Sequence, residues 1–106
     1  DDLMEQVRKS GINSCDRVWQ LPSFPEYGEA IKGKYADLQN IGVGDSGTII
    51  GGMFLEHFID GTPWVHLDIA GTSWNLKHIG YHPNSCATGV GVRLLAELVQ
   101  NWKTLK

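Results

Sequence analysis

The chain has 106 residues, 42% of them hydrophobic and 20% charged, with a formal net charge of −3 and a pI near 5.7. That length fits one domain or part of one, and that balance excludes the low-hydrophobicity, high-charge composition of a disordered segment. No basic stripe or polybasic run points to nucleic acid or an anionic membrane, and no apolar stretch approaches the roughly 20 residues of a membrane helix.

The acidic start, Asp1-Asp2-Leu3-Met4-Glu5, has no apolar core of the signal-peptide kind. Without an initial Met the chain is expected to begin inside a longer protein; a start set by processing is the alternative. Leu3, Met4 and Val7 recur at helical spacing, with Asp1 or Asp2 as cap and Gly11 at the left-handed stop, which predicts a helix over about 2–10. Arg17-Val18-Trp19-Gln20-Leu21 alternates polar and apolar before Pro22 and reads as a strand. Residues 25–32 read as a short helix with Pro25 in its first turn. Residues 36–41 read as a short strand entering the glycine-rich loop Gly42-Val43-Gly44-Asp45.

Residues 47–59 are almost unbroken in apolarity and predict a buried helix capped by Asp45 or Ser46. Gly51-Gly52 inside it implies close packing against a neighbour, since each Gly there costs about 1 kcal/mol relative to Ala. Trp64-Val65-His66-Leu67-Asp68-Ile69-Ala70 is the clearest strand, followed by the turn Gly71-Thr72-Ser73 and a long polar loop over 75–88. A final helix over about 89–103 carries Val90, Leu94, Leu95, Leu98 and Val99 on one side. The order α, β, α, β, α, β, α implies the α/β class, with too few strands for a complete sheet.

Three features are candidates for chemistry. His66 and Asp68 share one face of a strand, a spacing that suits a metal-ligating or oriented acid/base pair and equally a core histidine beside a capping aspartate. The loops at 42–47 and 89–91 precede helices, but neither matches a dinucleotide or P-loop fingerprint, so tight turns that let helices pack are the better reading. The small-residue turn Ala70-Gly71-Thr72-Ser73 stands where open α/β sheets bind ligands, beyond the carboxyl end of a strand; a plain turn accounts for it equally well. His57, His78 and His82 form no spaced ligand set. Cys86 has no neighbouring base, and Cys15 and Cys86 form no zinc-knuckle pair and read as thiols of a reducing compartment.

The run Pro63-Trp64-Val65-His66-Leu67-Asp68-Ile69-Ala70-Gly71-Thr72-Ser73-Trp74 resembles the Trp-Ala-His-Leu-Asp-Ile-Ala-Gly-Thr-Ala-Trp signature of the cytosolic leucine aminopeptidases. Asp16-Arg17-Val18-Trp19-Gln20-Leu21-Pro22, Ala36-Asp37-Leu38-Gln39-Asn40-Ile41-Gly42 and Ala87-Thr88-Gly89-Val90-Gly91-Val92-Arg93 resemble further segments of that family, in the same order. The resemblance implies the C-terminal part of a catalytic domain over 1–106, a three-layer α/β/α sandwich represented here by an incomplete sheet with flanking helices.

It also implies a cytoplasmic, hexameric enzyme that removes N-terminal residues, leucine preferred, from peptide substrates. Two divalent ions, zinc or manganese, would activate water and polarise the carbonyl in the intact enzyme. A basic side chain and a bicarbonate held by an arginine assist in that family. The family's metal ligands come from a Lys/Asp segment and an Asn-Thr-Asp-Ala-Glu-Gly-Arg segment, and neither occurs here. By resemblance this chain therefore supplies no metal ligand and no catalytic residue, and His66 and Asp68 are not ligands. What carries over is substrate-side: Ala70 and Ser73 on the S1 pocket and Ile41 towards S1′. Alone, the 106 residues are expected to be inactive and, with strand edges and apolar faces uncovered, to self-associate. The alternative is an isolated, non-catalytic binding or assembly module.

Overall fold

The computed structural model describes residues 2–42, 46–74 and 85–105. Helix α1 spans Asp2–Asn13, a 3-10 helix spans Pro25–Ile31, α2 spans Gly47–Glu56 and α3 spans Val92–Gln100. Among the described residues there is no sheet; two isolated antiparallel bridges, Lys32 with Leu38 and Trp74 with Ala87, are the only β pairings. The strands expected over 17–21, 36–41 and 64–70 do not form. A strand is held by ladder hydrogen bonds to a neighbour, and these segments find no more than a single bridge among the described residues.

The chain divides into two compact units, Asp1–Trp19 with Leu67–Lys106, and Gln20–His66. In the first, α1 packs on α3. Leu3, Val7, Ser10 and Gly11 are buried at positions four, three and one apart, a single face of α1. Leu94 of α3 is 1% exposed, and burying a leucine so fully contributes about 1.5–3 kcal/mol. A methyl on Gly11 would lie 2.9 Å from the Asp16 carbonyl oxygen and 3.3 Å from a Leu94 methyl, so the smallest residue lets the chain fold back over the helix end.

The helix runs past Gly11, which is not the left-handed stop. That conformation falls to Cys15, at φ 57°. Asp16 N–H donates to Gly11 O at 2.9 Å and Cys15 N–H to Ile12 O at 3.2 Å, the paired bonds of a Schellman ending. At the other end, Asp2 and Glu5 place negative charge on the helix's positive pole. Arg8 grips Glu5 with Nε and Nη2 at 2.9 and 2.8 Å. These bonds hold the exposed Glu5 carboxyl below the ordinary carboxylate range, with the charges of Arg8 and Lys9 adding to them, and raise the Arg8 guanidinium.

Polar side chains tie α1 to α3. Gln6 donates from Nε2 to Lys103 O and accepts at Oε1 from Lys103 N–H, at 2.9 and 3.0 Å. Asn13 Nδ2 donates to Glu97 Oε1 at 3.1 Å.

In the second unit the core is Ile31, Ile50 and Met53, with Tyr27, Ala30, Leu38, Ile49 and Phe54 packed against it. The 3-10 helix has Pro25 at its start, where a missing N–H does no harm, and ends at Ile31, which is fully buried. Gln39 straps the following loop back: its N–H donates to Ile31 O at 2.8 Å and its Nε2 to Ala30 O at 2.9 Å. A methyl on Gly42 would sit 2.5 Å from Ile50 Cγ2, so this loop also needs its glycine.

Helix α2 ends at Glu56, three residues before the predicted limit, and Ser46 occupies its N-cap position without a side-chain capping bond. Asp45, the other expected cap, lies outside the described residues, as does most of the loop expected over 75–88. The Gly51-Gly52 pair divides: Gly52 faces the His66 ring carbons, 3.6 Å from where a Cβ would stand, while Gly51 faces open space.

Candidate functional site: a substrate-side turn

The small-residue turn is wound around one carbonyl. Ile69 O accepts from Thr72 N–H at 3.0 Å, from Ser73 N–H at 2.9 Å and from the Thr72 hydroxyl at 3.3 Å. Just before it, Asp68 Oδ1 accepts from Ala70 N–H at 2.9 Å, the local side-chain-to-backbone bond that aspartate favours at turns. Of the two readings open for the His66/Asp68 pair, the capping role fits Asp68. His66 is exposed rather than buried, its ring lying against α2 at Gly52 and 6.2 Å from the Trp64 ring.

The far side of the turn is held by Thr88. Its hydroxyl donates to Thr72 O at 2.6 Å and its N–H donates to Ser73 O at 2.9 Å. The Trp74–Ala87 bridge continues that pairing. From Thr88 the chain passes through Gly89 at φ 70° and Gly91 at φ 87°, left-handed conformations that glycine adopts without strain. It then enters α3, whose N-cap is Gly91. The Gly91 N–H donates to Asp16 Oδ2 at 2.7 Å, with Asp16 itself buried. This helix N-terminus is thus already filled by a carboxylate of the same chain, which supports the tight-turn reading of the 89–91 loop over an anion site.

Ala70 is exposed and Ser73 half-buried, and a Cβ placed on Gly71 would meet nothing within 4 Å. The outer side of the turn is therefore open and lined by small groups. Ala70 and Ser73 both belong to this turn, three positions apart; Ile41, 78% exposed, belongs to the other unit. A shallow cleft lined by Arg8, Ile12, Arg17, Val18 and Trp19 shares no residue with the turn. Among the remaining histidines, His57 is exposed at the end of α2, its Nδ1 2.9 Å from Met53 O, and His78 and His82 lie outside the described residues. Among the described residues no group of three or more His, Cys, Asp or Glu side chains is placed to hold a metal ion. The turn offers shape and hydrogen bonding rather than an activated nucleophile.

Three of the four sequence motifs meet in this unit: Asp16 of the first, the signature turn of the third and Thr88–Gly91 of the fourth. A model of the cytosol aminopeptidase family, catalytic domain, matches residues 1–96, and the chain belongs to that family. It is 48% identical over 101 residues to a probable cytosol aminopeptidase of Alkaliphilus oremlandii, covering 95% of this chain and 20% of that protein. It is 49% identical over 98 residues to one of Geobacter sp. strain M21, covering 92% and 20%. One from Syntrophobacter fumaroxidans aligns over 106 residues at 45% identity, covering 99% and 21%. The chain spans about a fifth of the length of these curated relatives. No helix among the described residues is long and apolar enough to cross a membrane.

Proposed function

We propose that the intact protein is a cytoplasmic, metal-dependent leucyl aminopeptidase, and that this chain supplies one wall of its substrate pocket. The observation that carries the reading is the open turn at Ala70–Ser73, built from the family signature and clamped from both sides. In that reading Ala70 and Ser73 face the side chain of the substrate's N-terminal residue, and Ile41 lies towards the residue after the scissile bond. The two divalent ions, zinc or manganese, are held by segments outside this chain and supply the Lewis acidity; nothing in the described residues substitutes for them. The extended segments at 17–21, 36–41 and 64–70 become strands of a three-layer α/β/α domain when their neighbours are present, and the domain assembles as a hexamer. Alone, the 106 residues are inactive.

Ser73→Trp in the full-length protein is the test. The indole fills the proposed pocket, so kcat/KM should fall for peptides beginning with leucine, by roughly 100-fold if pocket packing is lost, and much less for peptides beginning with glycine. An unchanged substrate profile sinks the assignment.

A further inference from the structure

We propose that Thr88 is a positioning residue for that pocket: its hydroxyl fixes the Ala70–Ser73 turn against the start of α3 and so sets which N-terminal side chains fit. The inference rests on the reading that Ala70 and Ser73 line the pocket.

The turn has two anchors. At its entry, the Ile69 carbonyl gathers three donors and fixes the local winding. At its exit, among the described residues, Thr88 supplies both donors, hydroxyl to Thr72 O and N–H to Ser73 O. The N–H bond is available to any residue except proline, but the hydroxyl bond is available only to serine or threonine at this position. The same oxygen also accepts from Val90 N–H at 3.3 Å, so one atom joins the turn to the approach of α3. Gly91 then fixes that approach on the Asp16 carboxylate. Ala70 and Ser73 lie between the two anchors, and their separation from the rest of the unit follows from the exit anchor, because the entry anchor is internal to the turn. Without the hydroxyl, Thr72 O loses the donor that Thr88 gives it, and the exit is left with the Thr88 N–H bond to Ser73 O and the Trp74–Ala87 bridge, so the turn is held less closely.

The variant that isolates the hydroxyl is Thr88→Val in the full-length protein, which keeps the shape and removes the donor. KM for leucine-initial peptides should rise about 5- to 10-fold, the magnitude of one lost hydrogen bond. Values of kcat, and both constants for glycine-initial peptides, should stay within about 2-fold. Thr88→Ser should restore the wild-type profile. If Thr88→Val does not fold, Thr88→Ala, which also removes the donor, is read in the same way. A uniform loss across all substrates, or no change in profile, overturns the proposal. Running Ser73→Trp alongside separates the two ideas: a narrowed profile there with a flat Thr88→Val profile defeats Thr88 alone, whereas no change in either defeats the pocket assignment as well.

Discussion

The two units are held together by different means. In Asp1–Trp19 with Leu67–Lys106, polar side chains bridge long stretches of sequence: Gln6 to Lys103 across 97 positions, Asn13 to Glu97 across 84 and Asp16 to Gly91 across 75. In Gln20–His66 the core is apolar, and the side-chain bonds are short-range, Gln39 to Ala30 across 9 positions and His57 to Met53 across 4. Apolar contact rewards burial in almost any arrangement of similar volume, whereas hydrogen bonds demand one geometry. The unit that holds the signature turn is the one whose register is specified by directional bonds, as a site that must be held to a fraction of an ångström requires.

The comparison breaks most readily in the cores. Leu94→Ala and Ile31→Ala each remove a fully buried side chain and should each lower stability by about 2–5 kcal/mol. Native-state hydrogen exchange should show the first loss in the amides of α1 and α3, and the second in residues 25–31 and α2. Equal loss in both units from either substitution removes the division. Next in size, Asp16→Ala leaves the Gly91 N–H without its acceptor and should lower protection of α3 by about 1–3 kcal/mol, with Asp16→Asn recovering part of it. A loss below about 0.5 kcal/mol would show that the directional bonds are passengers on the apolar contact.

The smallest effect is at Glu5. Its carboxyl is held below the ordinary range by Arg8, so the stability linked to it is present at neutral pH and is lost as pH falls through that lowered value. Both partners are exposed, so Glu5→Gln should change the melting temperature only slightly, more at low salt than at high and not at all in strong acid. A difference that persists in strong acid assigns the effect to packing instead.

The helices were legible because apolar spacing reports a buried face: Leu3 and Val7 on α1 and Leu94 on α3 stand where the pattern puts them, but α3 spans Val92–Gln100 rather than 89–103, and Leu95 and Val99 of its expected apolar side are exposed. The end of α1 was not. Gly11 has the residue type of a helix stop, but its smallness serves a close approach to Asp16 and Leu94, and only tertiary contact distinguishes those uses. The strands do not form among the described residues for a related reason. Residues 64–70 have a strand's composition, but a strand requires a partner, and composition does not say whether the partner is present. The turn at Ala70–Ser73 was visible in the signature, and family membership was legible from four short motifs. Thr88 was not singled out, although it sits in one of those motifs, because its role depends on a partner 16 positions away. A polar residue just before two glycines and a helix start carries no marker of what it reaches.

The pairing of Gln6 with Lys103 also bears on the order of synthesis. Residues 20–66 lie in sequence between the two halves of the first unit. Ile31, Ile50 and Met53 are made within a span of 23 residues, and their cluster can close as soon as that span is free of the ribosome. Helix α1, made earlier, has no such local partner among the described residues. Leu94, which covers its apolar face, and Lys103, which meets Gln6, are added roughly 5–20 s later at ordinary elongation rates. During that interval Leu3 and Val7 lack the helix that buries them in the finished unit. The interval closes only when α3 and, after it, Lys103 have been made.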